Sequence, residues 1–210
     1  SDSIEIMEDI QTAGQLTFDV HAFSTRATIP CGTTVLSGTP ISAGPTPTMF
    51  TGPHGIDIRA PEISVMTDLS TEDGDIALLA TGTGGFTGGL YVAGSLQIFG
   101  TGHLGIDSTA AAQSTAVHFD IGSLVSVAKD IDIIGTGGAI GIHFAGTFSA
   151  AAVGTSTATF TGDGNGVIDS IGVFIAGPFV LDNYQGSMSG ATATSDNVDC
   201  TGVRISSTSV

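Results

Sequence analysis

The amino-acid sequence predicts an all-β protein, a parallel β-helix (β-solenoid) with an irregular N-terminal cap. The main observation is a recurring four-residue phrase: a small residue, a branched apolar residue, any residue, an apolar residue. Successive copies begin 25 to 34 residues apart, a period typical of proteins whose units bury their apolar faces by stacking. The copies begin at Gly55, Gly89, Ala116, Gly141, Gly172 and Gly202. This repetition predicts one elongated body that offers length and surface rather than a pocket.

The composition is the second observation. Hydrophobic residues make up 41% of the 210 residues, glycine occurs 31 times, aromatic residues reach only 6% and tryptophan is absent. Branched apolar residues favour strands and glycines mark tight turns. No segment of a dozen residues shows helical periodicity. The composition therefore predicts many short strands and no substantial helix.

The first 53 residues differ from the rest. The segment Ile4–Ile10 reads as a strand, and Leu16–Phe23 alternates apolar and polar residues like a half-buried one. A stretch dense in Gly, Pro, Ser and Thr follows, from Ser37 to Gly55. Solenoids need capped ends because an open terminal coil presents unpaired strand edges. We therefore divide the chain into an N-terminal cap segment with a Pro/Gly-rich connection, residues 1–53, and a parallel β-helix, residues 54–210.

Two further elements recur in the body and predict three short strands per coil. One is an apolar alternating strand that ends in Thr-Gly, and the other follows the four-residue phrase directly. The first kind occurs at Asp75–Gly82, Ser95–Gly102, Asp130–Gly137 and Ala158–Gly162. The second kind occurs at Gly146–Ala150 and Gly177–Leu181.

The charge is sparse and strongly acidic, with four Lys and Arg residues against twenty Asp and Glu residues and a net charge of −16. Binding to nucleic acid or to an anionic membrane surface needs clustered cations, so both partners are excluded. No apolar run approaches the roughly 18 residues of a membrane-spanning helix, and membrane insertion is not expected. The first residues carry no basic stretch or apolar signal core, which predicts a mature chain. Few Lys and Arg residues leave few sites for trypsin-like proteases, which suits an extracellular or cell-surface location.

The two cysteines, Cys31 and Cys200, stand near opposite ends of the sequence. In a linear solenoid with about 4.8 Å per coil they would be too far apart for a disulfide. Two unpaired thiols are the first interpretation. A disulfide requires that the N-terminal segment fold back along the body, or that the bridge join two molecules.

The Gly-Asp-Ile strands, Thr-Gly-x-Gly turns and Gly-Ile-x-Ile phrases of residues 55–206 resemble the repeats of filamentous-haemagglutinin-type exoproteins and related β-helical passenger domains of bacterial surface adhesins. The resemblance implies an extracellular fibre or stalk that serves adhesion, surface structure or assembly. We therefore expect a non-enzymatic structural or adhesive solenoid with no cofactor. Its expected partner is itself, as a homopolymer or fibre, with host or surface glycans as a further class.

Two histidines are candidates for a metal site. His118 and His143 occupy the same outward-facing third position of successive phrases, where stacked neighbours lie about 5 Å apart. The equivalent positions of the other phrases hold Asp57, Tyr91, Phe174 and Arg204, which supply no third ligand. Ordinary surface residues are the preferred interpretation.

Other polar clusters also have simple explanations. Calcium needs six to eight oxygen ligands, and the spacing of the acidic clusters matches no known calcium loop, so polar turns are preferred. An alternating threonine strand is typical of a solvent-facing strand, and ice binding would require threonine ranks in successive coils. The acidic clusters are Asp163, Asn165 and Asp169, and Glu72, Asp73 and Asp75; the threonines are Thr155, Thr157, Thr159 and Thr161.

The alternative function is a carbohydrate-active β-helix enzyme, a polysaccharide hydrolase or lyase. Glycoside hydrolysis needs two carboxylates at a defined separation, and Asp120, Asp130 and Asp132 show no recognised pairing motif. No nucleophile elbow, phosphate-binding loop or cysteine metal motif is present. We assign no catalytic, cofactor-binding or metal-binding residue. The alternative predicts an acidic cleft on one face.

Overall fold

The structure, a computed structural model, is a parallel β-solenoid. It describes residues 16–19, 26–29, 48–51, 55–60, 62–65, 68–71, 73–80, 89–111, 114–164, 170–192 and 201–206. Within these ranges every regular element is a strand. The predicted all-β class and parallel β-helix are therefore confirmed.

The described strands are short except for two, which run around a corner of the solenoid. In chain order they are β1 (Leu16–Asp19), β2 (Arg26–Ile29), β3 (Thr48–Thr51), β4 (Ile56–Ala60), β5 (Glu62–Val65), β6 (Asp68–Thr71), β7 (Ile76–Ala80), β8 (Leu90–Val92), β9 (Ser95–Ile98), β10 (Leu104–Ala110), β11 (Thr115–Phe119), β12 (Leu124–Val127), β13 (Ile131–Gly137), β14 (Ile140–Phe144), β15 (Thr147–Gly164), β16 (Ile171–Ile175), β17 (Phe179–Thr192) and β18 (Thr201–Ile205).

These strands form three faces, each a ladder of parallel strands from successive coils. The first face contains β1, β4, β7, β10, β13 and the second halves of β15 and β17. The second face contains β2, β5, β8, β11, β14, β16 and β18. The third face contains β3, β6, β9, β12 and the first halves of β15 and β17. Because β15 and β17 belong to two faces, the first and third faces form one continuous sheet.

Alternation along each strand sends apolar side chains inward, where equal positions stack from coil to coil. In β10 the burial alternates strictly, with Leu104, Ile106, Ser108 and Ala110 inside. The core is aliphatic over the earlier coils and becomes aromatic later. Its buried rungs on the second face are Ile63, Leu90, Val117, Ile142 and Val173. The aromatic part comprises Phe119, Phe144, Phe148, Phe160 and Phe179.

Five of the six phrases lie on the second face, but the first does not. The phrase that begins at Gly55 forms β4 on the first face, and β5 is the true counterpart of the later copies. Ser64 therefore stands next to Tyr91 in the ladder, and the placement of Asp57 there was wrong. The segment that begins at Ser95 was likewise grouped with the wrong strands, since β9 belongs to the third face. Both errors arise because the inward–outward alternation is the same on every face.

The described strands within the predicted cap continue the solenoid. Strands β1, β2 and β3 pair in parallel with β4, β5 and β6, one on each face. The strand predicted at Leu16–Phe23 is present at Leu16–Asp19. The strand predicted at Ile4–Ile10 lies outside the described residues. Of the Pro/Gly-rich stretch from Ser37 to Gly55, only Gly55 and the residues of β3 (Thr48–Thr51) are described. The boundary at residue 53 stays a prediction.

Close backbone approach explains why the phrase begins with a small residue. A β-carbon at Gly141 would lie 2.7 Å from the carbonyl oxygen of Gly172 and 2.8 Å from that of Gly135. A β-carbon at Gly172 would lie 2.5 Å from the Cα atom of Gly190. The corner between the first and second faces therefore has no room for a side chain in these coils.

Aspartates at the corners tie one coil to the next. The carboxylate of Asp130 accepts hydrogen bonds from the backbone N–H and the hydroxyl of Thr157, at 2.6 and 3.0 Å, 27 residues later. Three other carboxylates accept an N–H in the same way: Asp68 from Ser95, Asp73 from Thr101 and Asp75 from His103. These acceptors satisfy backbone donors where the chain leaves the strand ladder.

The corner between the third and first faces differs between the last two coils. Ala151 pairs with Asp182 and Ser156 pairs with Tyr184, so β15 uses residues 152–155 at the bend where β17 uses only Asn183. Each bend contains one residue in the left-handed region, Gly154 with φ 91° and Asn183 with φ 61°. Glycine and asparagine tolerate this region best. The pairing resumes in register on both sides of the bend.

Two glycines, one at the corner between the first and second faces and one on the outer side of a strand, provide a matched pair of substitutions. We expect Gly172→Ala to destabilise the protein by about 1–3 kcal/mol, since the added methyl group overlaps backbone atoms that cannot move aside. Gly105→Ala, on the outer side of β10, adds a β-carbon with no atom within 4 Å and should stabilise the protein by about 0.4–1 kcal/mol, because alanine reduces the conformational freedom of the unfolded chain. Urea unfolding followed by circular dichroism measures both. Equal midpoints for the two variants would contradict the close approach.

Candidate functional site

The best-defined cluster of polar and aromatic side chains lies on the outer side of the second face. We call it the aromatic ladder: Tyr91, His118, His143 and Phe174, the penultimate residues of β8, β11, β14 and β16. Each is paired in register with the next, and Arg204 of β18 follows Phe174. The predicted stacking of His118 on His143 is therefore confirmed.

The rings of the ladder contact one another through their faces and edges. Tyr91 stacks on His118 with 5.4 Å between ring centroids, and His143 stacks on Phe174 at 4.7 Å. The two imidazoles meet edge to face at 4.7 Å. The guanidinium carbon of Arg204 lies 5.4 Å from the centroid of the Phe174 ring, a cation–π contact. Ring faces turned toward neighbours are not open to a stacking ligand.

A hydrogen bond joins the two imidazoles, with 3.3 Å between their Nδ1 atoms. One Nδ1 must donate and the other accept. The Nε2 atom of His118 lies 3.9 Å from a carboxylate oxygen of Asp120, which favours a hydrogen on that Nε2. His118 Nδ1 is then the acceptor and His143 Nδ1 the donor. His143 Nε2 is left as a buried acceptor with no partner among the described residues.

Asp120, in the turn after β11, organises the start of the ladder. It accepts hydrogen bonds from the Tyr91 hydroxyl and from the backbone N–H of Ile121. These bonds hold the pKa of Asp120 below its ordinary value, and the bond to Asp120 raises the pKa of Tyr91. Asp120 is thus a fixed negative charge beside His118.

Burial makes both imidazoles weak bases. Burial lowers the pKa of His118, although the nearby Asp120 carboxylate acts in the opposite direction. Burial, and next the proximity of His118, lower the pKa of His143 to about 4. Both imidazoles are therefore neutral at pH 7.

The ladder offers too few ligands for a metal ion. Two nitrogens 3.3 Å apart match two ligands of a tetrahedral ion, but structural sites have four protein ligands and catalytic sites three. The described part of the chain contains no group of three or more His, Cys, Asp or Glu residues that could hold a metal. The hydrogen bond between the imidazoles accounts for the 3.3 Å between their Nδ1 atoms. The arrangement stabilises coil stacking.

The acidic residues predicted as polar turns have structural contacts where they are described. Asp73 and Asp75 accept backbone N–H groups of the next coil. Asp163 lies near the end of β15 and pairs in register with Thr136 and Ala191. Glu72, Asn165 and Asp169 lie outside the described residues, as do Cys31 and Cys200, so the disulfide question stays open.

The alternating threonines lie in β15. Thr155 is in the bend, and Thr157 donates its hydroxyl to Asp130. Thr159 and Thr161 pair in register with Ser187 and Ser189 of the next coil, rather than with further threonines.

A groove of about 440 Å³ opens on the outer side of the first face. It lies where Ala77 and Gly105 stand in register between Asp57 and Asp132 and leave space between larger side chains. Asp57 is buried and forms a two-point ion pair with Arg59, at 3.0 and 2.7 Å. The remaining lining includes Leu79, Asp107 and Ile134. The groove therefore combines three carboxylates and one guanidinium with aliphatic residues.

Comparisons with protein-family models, curated proteins and solved structures find no match to this chain. Of the resemblance to filamentous-haemagglutinin-type repeats, the structure shows the β-solenoid architecture. No helix long and apolar enough to cross a membrane occurs in the described ranges.

Replacing Asp120 tests the electrostatics of the ladder. In Asp120→Asn the pKa of His118 should fall further, because the carboxylate that favours its protonated form is lost. Histidine titration by NMR measures the shift. Asp107→Asn, which removes the same charge from the groove on the first face, should leave His118 unchanged. A rise of the His118 pKa in Asp120→Asn would contradict the assigned contact.

Proposed function

We propose that this chain is a non-enzymatic structural and adhesive β-solenoid of an extracellular or surface fibre, and that copies associate end to end. The observation that carries the proposal is the exposure of core positions in the last described coil. Val203 and Ile205 of β18 stack on Val173 and Ile175 of β16. They are 38% and 68% exposed, against 0% and 4% for the pair below. One further layer of apolar side chains would bury them.

The strand edges support the same direction of growth. Among the described strands, β18 ends one sheet, and β1, β2 and β3 lie at the opposite ends of their ladders. The ladders between the described strands are all parallel, so a second copy translated along the axis would continue them without reversal. A head-to-tail contact of this kind does not close and produces filaments. Main-chain hydrogen bonds and apolar rungs would then resemble those inside one chain.

The net charge and the repeat pattern support an extracellular or cell-surface location for this fibre. A net charge of −16 keeps an apolar chain soluble and weakens association at low salt. The likeness of residues 55–206 to adhesin-type repeats supports a surface fibre, with host or surface glycans as adhesion partners. A body made of stacked coils supplies the rigid length that a stalk requires.

End-to-end association predicts polymers that lengthen with protein and salt concentration. Ile205→Asp should shorten them, because a carboxylate would be buried at each junction. Ile121→Asp is the matched control, since Ile121 is 81% exposed in the turn between β11 and β12. Sedimentation velocity and electron microscopy measure both. Compact monomers of the unaltered chain at every concentration would overturn the proposal, as would equal effects of the two substitutions.

The groove on the first face favours a second candidate, a carbohydrate-active enzyme. Gly105 pairs with Asp132 and Asp107 with Ile134, so Asp107 and Asp132 occupy diagonal positions of neighbouring strands. The backbone positions of such diagonal neighbours lie about 7–8 Å apart, so the two side chains can reach the roughly 6.5–9.5 Å that separates the carboxyl groups of inverting glycosidases. Both aspartates are exposed and reachable by a polymer.

A panel of acidic and neutral polysaccharides separates the two candidates. The enzyme predicts new reducing ends, or unsaturated products for a lyase, and their loss in Asp107→Asn and in Asp132→Asn. Asp182→Asn, an exposed aspartate on β17, is the control of equal charge. The structural role predicts no product from any polymer in the panel.

A further inference from the structure

The contact between His118 and His143 joins two successive strands of the second face through a single hydrogen. Their Nδ1 atoms lie 3.3 Å apart and face each other, so the bond exists only while one of them keeps its lone pair. A second hydrogen at this contact would place two N–H groups against each other and one positive charge on the pair. The inter-coil contact therefore depends on the protonation of the pair.

The other nitrogen of His143 gives an added proton no favourable place. Its Nε2 atom is buried and has no partner in the described part of the structure. Protonation there would create a buried N–H without an acceptor, which costs roughly 1–3 kcal/mol. The stacked Phe174 ring covers the imidazole, with its centroid 4.7 Å away. His143 thus accepts a proton readily only when it leaves the ladder.

The charged and titratable groups of the neighbouring elements do not remove this cost of protonating the imidazole pair. On the side of His118 they are Tyr91 of β8 and Asp120, and on the side of His143 the next charge is Arg204, beyond Phe174. Asp120 alone favours a protonated imidazole. It already accepts hydrogen bonds from Tyr91 and from the backbone of Ile121.

We propose that the imidazole pair is an acid-sensitive joint, at which strands β11 and β14 separate when the pH falls below neutrality. The opened state exposes both imidazoles to water and binds protons that the closed state does not bind at the same pH. Acid then favours the opened state by mass action. The proposal concerns the inside of one chain and is independent of the end-to-end association.

The direction of the pH dependence of stability, and the pH range over which it acts, follow from the pKa values of the two histidines. The pKa of each is lower in the folded ladder than its ordinary value of 6.5, and that of His143 falls to about 4. The stability that the neutral pair contributes is therefore complete above pH 6.5 and is lost as the pH falls from 6.5 toward 4. The pKa values of Asp120 and Asp130 are held below 3.8, so their contributions are lost only in stronger acid. The two windows are separate.

Hydrogen–deuterium exchange of the full chain at pH 7.5 and pH 5.5, corrected for intrinsic rates, tests the joint. From His143 alone, the opening constant of the β11 and β14 amides should rise up to roughly tenfold. The contact between β5 and β8, where Ser64 meets Tyr91, contains no histidine and serves as the internal control. Unchanged protection of β11 and β14, or an equal rise at β5 and β8, would overturn the proposal.

Two variants assign the effect to the pair. His143→Phe extends the existing stack with Phe174 and removes the imidazole whose pKa is lowered to about 4. His118→Phe removes the other imidazole and can stack on Tyr91. His143→Phe should lose most of the acid response, and His118→Phe should lose only part of it, because His143 stays buried. His103→Phe should keep the whole response, because His103 lies at an exposed corner beside Asp130. A full acid response in either ladder variant would contradict the assignment. Should one variant fail to fold, the other variant and the unaltered chain still decide the question.

Discussion

The whole architecture depends on how closely two backbones approach each other at the corner between the first and second faces. Gly141, Gly172 and Gly202 leave no space for a β-carbon, and their partners Gly135, Gly162 and Gly190 on the neighbouring face are equally confined. This approach makes the turn sharp enough for three short faces to enclose a narrow core. A few inward residues from each strand then suffice to fill it, which explains why Ile, Val, Leu and Phe dominate without tryptophan.

Polar groups reinforce the stack in two separate ways. At the corners, aspartates accept backbone N–H groups of the next coil, so part of the large acidic excess has a structural purpose. On the outer side of the second face, the aromatic ladder connects four coils through ring contacts and one imidazole hydrogen bond. At Asp130 the bonds to Thr157 hold the pKa below its ordinary value, so this contact tolerates mild acid, whereas the imidazole pair is the proposed acid-sensitive contact. The same coils thus contain both a durable and a pH-dependent form of cross-coil contact.

The sequence was sufficient for the fold class because spacing and small residues are direct consequences of stacking. It was not sufficient to assign each strand to its face. The segment Gly55-Ile56-Asp57-Ile58 and the later phrases have the same alternation of inward and outward residues, and they differ only in their position around the core. Ile63, 27 residues before Leu90, was the better spacing signal, but Glu62 precedes it where the other copies have a small residue. The histidine pair could be predicted from its equal positions. The role of Asp120 could not, since a turn residue reaches Tyr91 of the preceding coil only once the coils are superimposed.

The bend in β15 and β17 has a practical consequence. One coil passes it with four residues and the next with one, yet the ladders on either side stay aligned. The extra residues, among them Val153, project outward at the surface. A solenoid that absorbs such a difference in length without losing alignment can accept foreign peptides at the same place. Residues 153–155 are therefore the natural point at which to graft an epitope or a label and display it on the outside of an otherwise unaltered rod.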